Sequence, residues 1–173
     1  ERSAGRMVAL DTAAFTLAHE GDSYTVLIPS PRVVFTLVEG QVDMPGRYSI
    51  RLEGKVAFSE DLEGFIELEV VSSGDQTFMT DLINRRKWNP VEPGVLPFNF
   101  ANLGRTLSDI IDSVQDPHLI DVDEVDDIPV WRIKGTVPSE GLSPLVPTAD
   151  PGFEVILELW IEQERDLLRM VRI

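Results

Sequence analysis

The sequence predicts an α+β fold, in which a bent antiparallel sheet has one apolar face and an amphipathic helix packs against it. Apolar and polar residues alternate from Arg47 to Phe58, which is typical of a strand with one dry and one wet face. Apolar residues between 102 and 115 instead follow the helical period. Glycines inside the strands indicate where the sheet bends.

The runs 33–42, 47–58 and 62–71 form the centre of the predicted sheet, an antiparallel meander with turns at 44–46 and 59–61. Tight turns would place Gly40 opposite Ile50 and Gly54 opposite Ile66, so that even-numbered residues share one face throughout. That face is almost wholly apolar and consists of Val34, Thr36, Val38, Gly40, Val42, Tyr48, Ile50, Leu52, Gly54, Val56, Phe58, Leu62, Gly64, Ile66, Leu68 and Val70.

Three of these residues, Gly40, Gly54 and Gly64, lie in mid-strand and predict that the sheet curves around its apolar side. A strand of ten residues spans about 33 Å, which is close to the ~30 Å of bilayer hydrocarbon. A concave apolar surface of this length suits an acyl chain. The alternative is that a helix fills the concavity, as in any α+β domain.

The remaining β segments follow from weaker patterns. Residues 12–20 are predicted as a strand with Phe15, Leu17 and His19 on one face, and residues 21–31 as a connection. Residues 76–83 are predicted as a fifth antiparallel strand that 85–88 continues, whereas the prolines of 89–97 favour an extended loop. Further strands are predicted at 130–137, 153–161 and 167–173.

The helix is predicted over 102–115, because five apolar residues form one stripe: Leu103, Leu107, Ile110, Ile111 and Val114. Asn102 is a suitable N-cap, and Asp116-Pro117 ends the helix. We expect the stripe to be buried on the open apolar face of the meander. The proline-rich segment 138–152, with a short helical turn near 142–146, is either a flap over apolar surface or a packed loop.

Composition indicates one globular domain spanning residues 1–173, with an ample core. Thirty acidic and fifteen basic residues give a formal net charge of −15, which disfavours nucleic acid and anionic membrane surfaces and favours a soluble monomer. The absence of cysteine removes disulfides, thiol catalysis and thiolate metal sites. No apolar run approaches 18 residues, so neither a signal peptide nor a transmembrane helix is expected in this chain.

No motif for enzyme chemistry stands out. His19 and His118 lack metal-ligand spacing, and there is no Gly-x-Ser-x-Gly elbow or phosphate-binding glycine loop. The acidic run 121–127 lacks the glycine and glutamate of a calcium-binding EF-hand loop, and is interpreted as a solvated hairpin end. The prediction is a protein that is not an enzyme and has no cofactor or metal.

Several short motifs in a fixed order resemble a known family across nearly the whole chain. They are Val38-Glu39-Gly40-Gln41-Val42, Trp88, Pro97-Phe98, Asn102-Leu103-Gly104, Val130-Trp131-Arg132-Ile133-Lys134-Gly135, Leu159-Trp160-Ile161 and Leu168-Arg169-Met170-Val171. In this order they are similar to the LppX/LprG-type lipoproteins, and more distantly to the LolA and LolB lipoprotein carriers.

This resemblance implies a strongly curved antiparallel sheet, a half barrel whose concave side is covered by helices, enclosing an apolar cavity for acylated lipids. It also implies export and attachment to the membrane through a lipidated N-terminal cysteine, which this chain lacks. Residues 138–152 are expected at the cavity mouth because of their composition and position.

We therefore expect an extracytoplasmic protein of the cell envelope that binds an acylated lipid or glycolipid and carries or presents it. The alternative is an interaction domain of the same fold without a ligand cavity. The predicted cavity lining comprises nine residues, five from the sheet and four from the helix: Tyr48, Ile50, Leu52, Ile66, Leu68, Leu103, Leu107, Ile110 and Ile111.

Overall fold

The computed structural model of the protein describes residues 2–19, 25–29, 32–59, 62–73, 75–82, 84–92, 100–143, 145 and 151–173. Eleven strands and two α-helices lie in these ranges, in the chain order α1 (Arg2–Val8), β1 (Thr12–Ala18), β2 (Thr25–Pro29), β3 (Arg32–Asp43), β4 (Arg47–Ser59), β5 (Leu62–Ser73), β6 (Thr77–Thr80), β7 (Trp88–Pro90), α2 (Leu103–Ser113), β8 (Gln115–Val125), β9 (Ile128–Pro138), β10 (Glu154–Glu162) and β11 (Leu168–Arg172). Short 3-10 turns at Phe100–Asn102 and Ser139–Leu142 complete these elements.

The chain divides into two compact units. The meander unit comprises Asp11–Asn102, and the helical unit comprises Glu1–Leu10 together with Leu103–Ile173. The first ten residues thus belong with the C-terminal part of the chain. The expectation that residues 1–173 form one domain remains a prediction.

The meander unit is one antiparallel sheet of seven strands in the order β1-β3-β4-β5-β6-β7, with β2 also paired to β3. Its register confirms the predicted pairing, since Gly40 lies opposite Ile50 and Gly54 opposite Ile66. The long central strands β3, β4 and β5 follow the predicted segments and extend each by one to two residues.

A register shift in β3 corrects the predicted composition of the apolar face. The shift lies between Phe35 and Leu37, so Phe35 rather than Thr36 points to the same side as Val38. Consequently Val33 and Phe35 are buried, whereas Val34 is half-buried and Thr36 is exposed. A β-bulge of this kind reverses the side-chain alternation beyond it.

A second shift, between Ala57 and Ser59, changes the other end of the predicted face. There Leu62 pairs with Ser59 and is exposed rather than buried. The side chain of Phe58, which was also predicted on this face, lies outside the described residues, as do residues 60–61 of the predicted turn.

The helical unit contains a four-stranded antiparallel sheet in the order β11-β10-β9-β8 and both α-helices. The core of this unit contains residues from both helices, from the sheet and from the 3-10 turn after β9. They are Ala4 and Met7 of α1, Ile110 and Ile111 of α2, Val137, Leu157, Leu159 and Ile161 of the sheet, and Leu142. In the part of the chain that the structure describes, neither helix has the length and apolar character that crossing a bilayer requires.

Four elements of the structure were not predicted: α1, β2, β7 and β8. Residues 85–88 do not continue β6 as predicted; instead Trp88–Pro90, partly within the predicted loop, forms β7 antiparallel to β6. Pro90 is compatible with a strand here because β7 is the last strand of the sheet within the described residues. Residues 25–29, expected within a connection, form a strand on β3, and residues 115–125 form a strand on β9 directly after the helix. Helix α2 begins at Leu103 and ends at Ser113, inside the predicted 102–115. The expected loop motifs at 93–99 lie outside the described residues.

Candidate functional site

The apolar face of the meander unit is built from rows of residues that lie side by side across β3, β4 and β5. One row is Val38, Leu52 and Leu68, all of which are buried. The row beside it is Gly40, Ile50 and Val70. Because cross-strand neighbours on one face are about 5 Å apart, each row is a continuous apolar contact.

Each mid-strand glycine of this face lies in a row between or beside large residues. Gly54 is flanked by Phe35 and Ile66, and Gly64 lies beside Val56. A β-carbon on Gly54 would collide with the backbone carbonyl of Val34, and one on Gly40 would collide with the carbonyl of Ser49. Gly40 and Gly54 therefore permit close backbone approach between adjacent strands.

An aromatic cluster lies at the β3–β4 turn end of the meander unit. The ring of Phe15, on β1 opposite Gly40, stacks on Phe100 with ring centroids 5.0 Å apart. Tyr48 contacts the same Phe100 ring at 5.9 Å in a tilted geometry. Such offset contacts contribute beyond the burial of area alone, so Tyr48 has a defined aromatic environment at this end of the face.

The opposite face of the same strands is charged. The Glu67 carboxylate accepts hydrogen bonds from Arg51 Nε at 2.6 Å and from Arg85 Nη1 at 2.7 Å. The hydrogen bond from Arg51 holds the pKa of Glu67 below its ordinary value. The sheet is thus amphipathic, although the exposed side chains of Phe65 and Val71 lie on the charged face.

The four predicted lining residues from the helix all lie on α2 or at its start, in the helical unit. Ile110 and Ile111 pack in the core of that unit, with Leu107 and Val114 packed against the same cluster. Leu103 is buried. The expected stripe therefore exists, but the cluster that buries Ile110 and Ile111 is built from α1, β9, β10 and Leu142. This corrects the expectation that the apolar face of the meander would cover the stripe, because a helical period does not tell which of two sheets a helix packs on.

Burial differs within the predicted set of nine. Seven side chains are at most 9 % exposed, and Leu52 is 0 % exposed. Tyr48 and Leu107 are half-buried. A side chain that borders a void large enough for water retains accessible area. The four that are at most 2 % exposed are therefore packed against protein as they stand, namely Ile50, Leu52, Leu68 and Ile110.

An open cleft of about 520 Å³ lies at the β3–β4 turn end of the meander unit, bordered by β1, β3 and β4. Tyr48 is the predicted lining residue that borders it. Its wall also includes Asp43 and Arg47, whose side chains form an ion pair at 2.5 Å, together with Gln41 and Ser49. The cleft is mixed in polarity and was not predicted, because no motif in the sequence distinguishes these residues.

Neither histidine belongs to a metal-ligand cluster within the residues that the structure describes. His19 is half-buried, and this burial lowers its pKa below the ordinary value of 6.5. His118 Nδ1 lies 3.1 Å from the carbonyl oxygen of Asp116. Within the described ranges, no three His, Asp or Glu side chains are grouped so that they could hold a metal ion.

The acidic run 121–127 forms the end of the β8–β9 hairpin, as interpreted from the sequence. Asp126 and Asp127 occupy the turn with positive φ angles of 51° and 63°. This is the left-handed conformation of a two-residue hairpin loop, which Asp tolerates better than most residues. The carboxylates of this run are exposed.

Comparison with known proteins places the fold. No protein-family model matches the sequence, and no curated protein matches it. The structure is similar to that of LprF from Mycobacterium bovis, with a TM-score of 0.71 and 17 % identity over 98 % of this chain and 81 % of that chain. It is also similar to the Mycobacterium tuberculosis lipoprotein LppX, with a TM-score of 0.56 and 15 % identity over 96 % of this chain and 80 % of that chain. The chain therefore has the fold of LprF and LppX, which confirms at the level of structure the resemblance expected from the sequence.

Proposed function

We propose that the protein is an extracytoplasmic lipid-binding protein of the cell envelope, not an enzyme, that carries or presents an acylated lipid. The observation that carries the proposal is the continuous apolar face of β3, β4 and β5 in a chain that has the fold of the lipoprotein LppX. The nine predicted residues are the proposed lining.

The energetics of such binding need no charged residue. Each buried CH₂ contributes about 0.8 kcal/mol, so a sixteen-carbon chain gains on the order of 12 kcal/mol before the costs of association are subtracted. The row formed by Val38, Leu52 and Leu68 offers aliphatic contacts of the required kind.

Binding at this face requires the protein to open. Leu52 and Leu68 are almost fully buried, so an acyl chain, which is about as wide as the spacing between strands, roughly 5 Å, must displace the groups now packed on them. Tyr48 is half-buried and so is reached with less displacement. We propose that ligand entry and opening are coupled.

The burial of the same side chains supports a second function, an interaction domain of the cell envelope with the same fold and no ligand cavity. In that case Ile50, Leu52 and Leu68 are ordinary core residues, which their exposure of 2 % or less would also explain.

Displacement of a fluorescent fatty acid from the purified protein, together with native mass spectrometry after organic extraction, separates the two functions. The lipid-binding proposal expects saturable displacement and a co-purified lipid mass. Absence of both would favour the interaction domain.

A pair of variants on β4 sharpens the test. Leu52→Trp adds bulk to the buried apolar face, whereas Lys55→Trp adds the same bulk at an exposed site of the same strand. Because Leu52 is fully buried, Leu52→Trp should lower the free energy of unfolding by about 1 to 3 kcal/mol under either function. Only the lipid-binding proposal expects the same variant to lose displacement of the fluorescent fatty acid. Lys55→Trp should change neither ligand binding nor stability.

A further inference from the structure

Strand β8 is an edge of the four-stranded sheet, and nothing proposed above uses it. Within the described residues it pairs with β9 alone. Ten of its eleven residues are exposed. An edge strand presents unpaired backbone N–H and C=O groups, which another chain can pair with unless the edge is protected.

The orientation of these backbone groups follows from Pro129. Glu124 lies opposite Pro129, which has no N–H, so this pair is not hydrogen-bonded and Glu124 directs its backbone groups away from β9. Because the pattern alternates, Val122, opposite Trp131, also directs its N–H and C=O outward. The N–H of Glu124 is donated to Asp123 Oδ1 at 2.9 Å. Val122 therefore presents the outward donor and acceptor of this stretch.

An apolar patch lies beside this outward backbone. Val122 is 59 % and Leu119 is 56 % exposed, and the cross-strand partner of Val122, Trp131, is 38 % exposed. Val122, Trp131 and Leu119 lie on one side of the hairpin, since Leu119 pairs with Ile133 two residues along β9. Exposed neighbouring apolar side chains of this size mark interaction sites more often than isolated ones do.

The charge around the patch selects among possible occupants. The hairpin end carries four exposed carboxylates: Asp121, Glu124, Asp126 and Asp127. The carboxylate of Asp123 accepts a hydrogen bond from Trp160 Nε1 at 3.0 Å. A second copy of this chain has a net charge of −15 and would be repelled by these carboxylates. An anionic lipid surface is disfavoured for the same reason. A cationic chain with alternating apolar residues matches both the patch and its charge.

We propose that β8 is a docking edge for an extended, basic segment of a partner protein, which adds a strand to the sheet at Val122 and places its apolar side chains on Leu119, Val122 and Trp131. This proposal does not depend on lipid binding. Backbone pairing supplies affinity, and the alternating side chains supply selectivity.

The test uses a capped octapeptide of alternating lysine and valine as the probe, titrated into the full ¹⁵N-labelled chain. We expect saturable shifts at Val122, Glu124 and the Trp131 indole, and weakening of the complex by salt at about 0.5 M. A peptide of alternating glutamate and valine, which has the same pattern and opposite charge, should not bind.

Two variants and one control locate the site. Val122→Lys and Leu119→Lys should each weaken peptide binding by about tenfold or more. Each removes an apolar contact and places a positive charge on the protein, which repels the lysines of the peptide. Ile156→Lys makes the same change at an exposed residue of β10, away from the edge, and should alter binding by less than about twofold. All three sites are exposed, so circular dichroism should report a native fold.

Several results would overturn the proposal. These are no saturable binding of the lysine peptide, equal binding of the glutamate peptide, or equal sensitivity to Val122→Lys and Ile156→Lys. If Val122→Lys abolishes sedimentation with phosphatidylglycerol vesicles while the peptide does not bind, the edge is a membrane surface instead. Loss of a dimer in the same variant, again without peptide binding, would identify a second copy as the occupant.

Discussion

Gly54 lies at a position in the meander unit where adjacent strands leave no room for a β-carbon. A methyl group there would collide with the backbone carbonyl of Val34, which cannot rotate away as a side chain can. We expect Gly54→Ala to lower the free energy of unfolding by about 2 to 4 kcal/mol. Urea denaturation followed by circular dichroism measures this change.

Gly5 provides the matched control, because a β-carbon at this residue of α1 has no atom within 4 Å. Gly5→Ala should be neutral or stabilising by up to about 1 kcal/mol, since alanine is the better helix former. If the two substitutions had equal effects, the close approach of β3 and β4 at Gly54 would be contradicted.

Glu162 is a buried carboxylate that is held by two arginines. Its Oε1 accepts a hydrogen bond from Arg165 Nε at 2.5 Å, and its Oε2 accepts one from Arg169 Nε at 2.9 Å. The hydrogen bond from Arg165, followed by that from Arg169, outweighs desolvation and holds the pKa of Glu162 below its ordinary value of 4.5. The ionised form is therefore the one that the folded protein stabilises.

We expect Glu162→Gln to lower the free energy of unfolding by about 2 kcal/mol at neutral pH, because charged hydrogen bonds are replaced by neutral ones. A lowered folded-state pKa means that this contribution is complete above 4.5 and is lost as the pH falls through the folded value. The difference between wild type and variant should therefore shrink on acidification. Urea denaturation over a pH series measures it.

The control for this prediction is Glu63→Gln, which removes an exposed carboxylate whose distance to Lys55 Nζ is 3.9 Å. Surface pairs of this kind contribute about 0 to 1 kcal/mol, so the variant should be close to wild type throughout the pH series. A Glu162→Gln deficit that stayed constant or grew on acidification would show that the arginine pairs do not stabilise the ionised form.

At the scale of elements, the sequence predicted those strands that bury one face. Strands β3, β4 and β5 alternate clearly, and both predicted glycine pairings are present in the structure. What alternation could not reveal is the extra residue of the β-bulge near Thr36, because a bulge leaves the composition unchanged and reverses only the direction of the side chains beyond it. Val33 and Phe35 were therefore assigned to the wrong face.

Strand β8 was missed for a different physical reason. It is exposed along almost its whole length, so its sequence shows no buried face, and it is a strand because it pairs with β9. Helix α1 has only seven residues and buries Ser3, Ala4 and Met7, which is too little apolar surface for a periodic pattern. Tertiary pairing and packing, rather than local preference, determine both elements.

The same distinction applies to the candidate site. The five predicted sheet residues share one face, as register and alternation require, and three of them lie in adjacent rows: Ile50, Leu52 and Leu68. Their role as a lining stays a prediction, because periodicity reports which side of a strand is apolar and not what covers it. The aromatic contacts of Phe100 with Phe15 and Tyr48 join residues distant in sequence, so no local pattern could predict them.

At the scale of the whole molecule, the fold is shared with LprF at 17 % identity. Most side chains can change at this level of identity, provided that the order of the strands and their apolar faces are kept. The net charge of −15 is compatible with that fold because charge on the outer surface affects solubility and association rather than topology. The shared fold therefore does not by itself determine which ligand this chain binds.

Ligand linkage tests the proposed function on the intact chain. A lipid that binds the folded state alone stabilises it by about 2.7 kcal/mol at a hundred times its dissociation constant. For a protein of 173 residues, this corresponds to a rise in Tm of roughly 5 to 10 °C.

Scanning calorimetry of delipidated protein with a sixteen-carbon fatty acid measures the rise, and an eight-carbon fatty acid at equal concentration is the control. The shorter chain buries about half as many CH₂ groups, so it should give little shift. Equal shifts for both would indicate binding through the carboxylate alone, and no shift for either would contradict lipid binding at the apolar face.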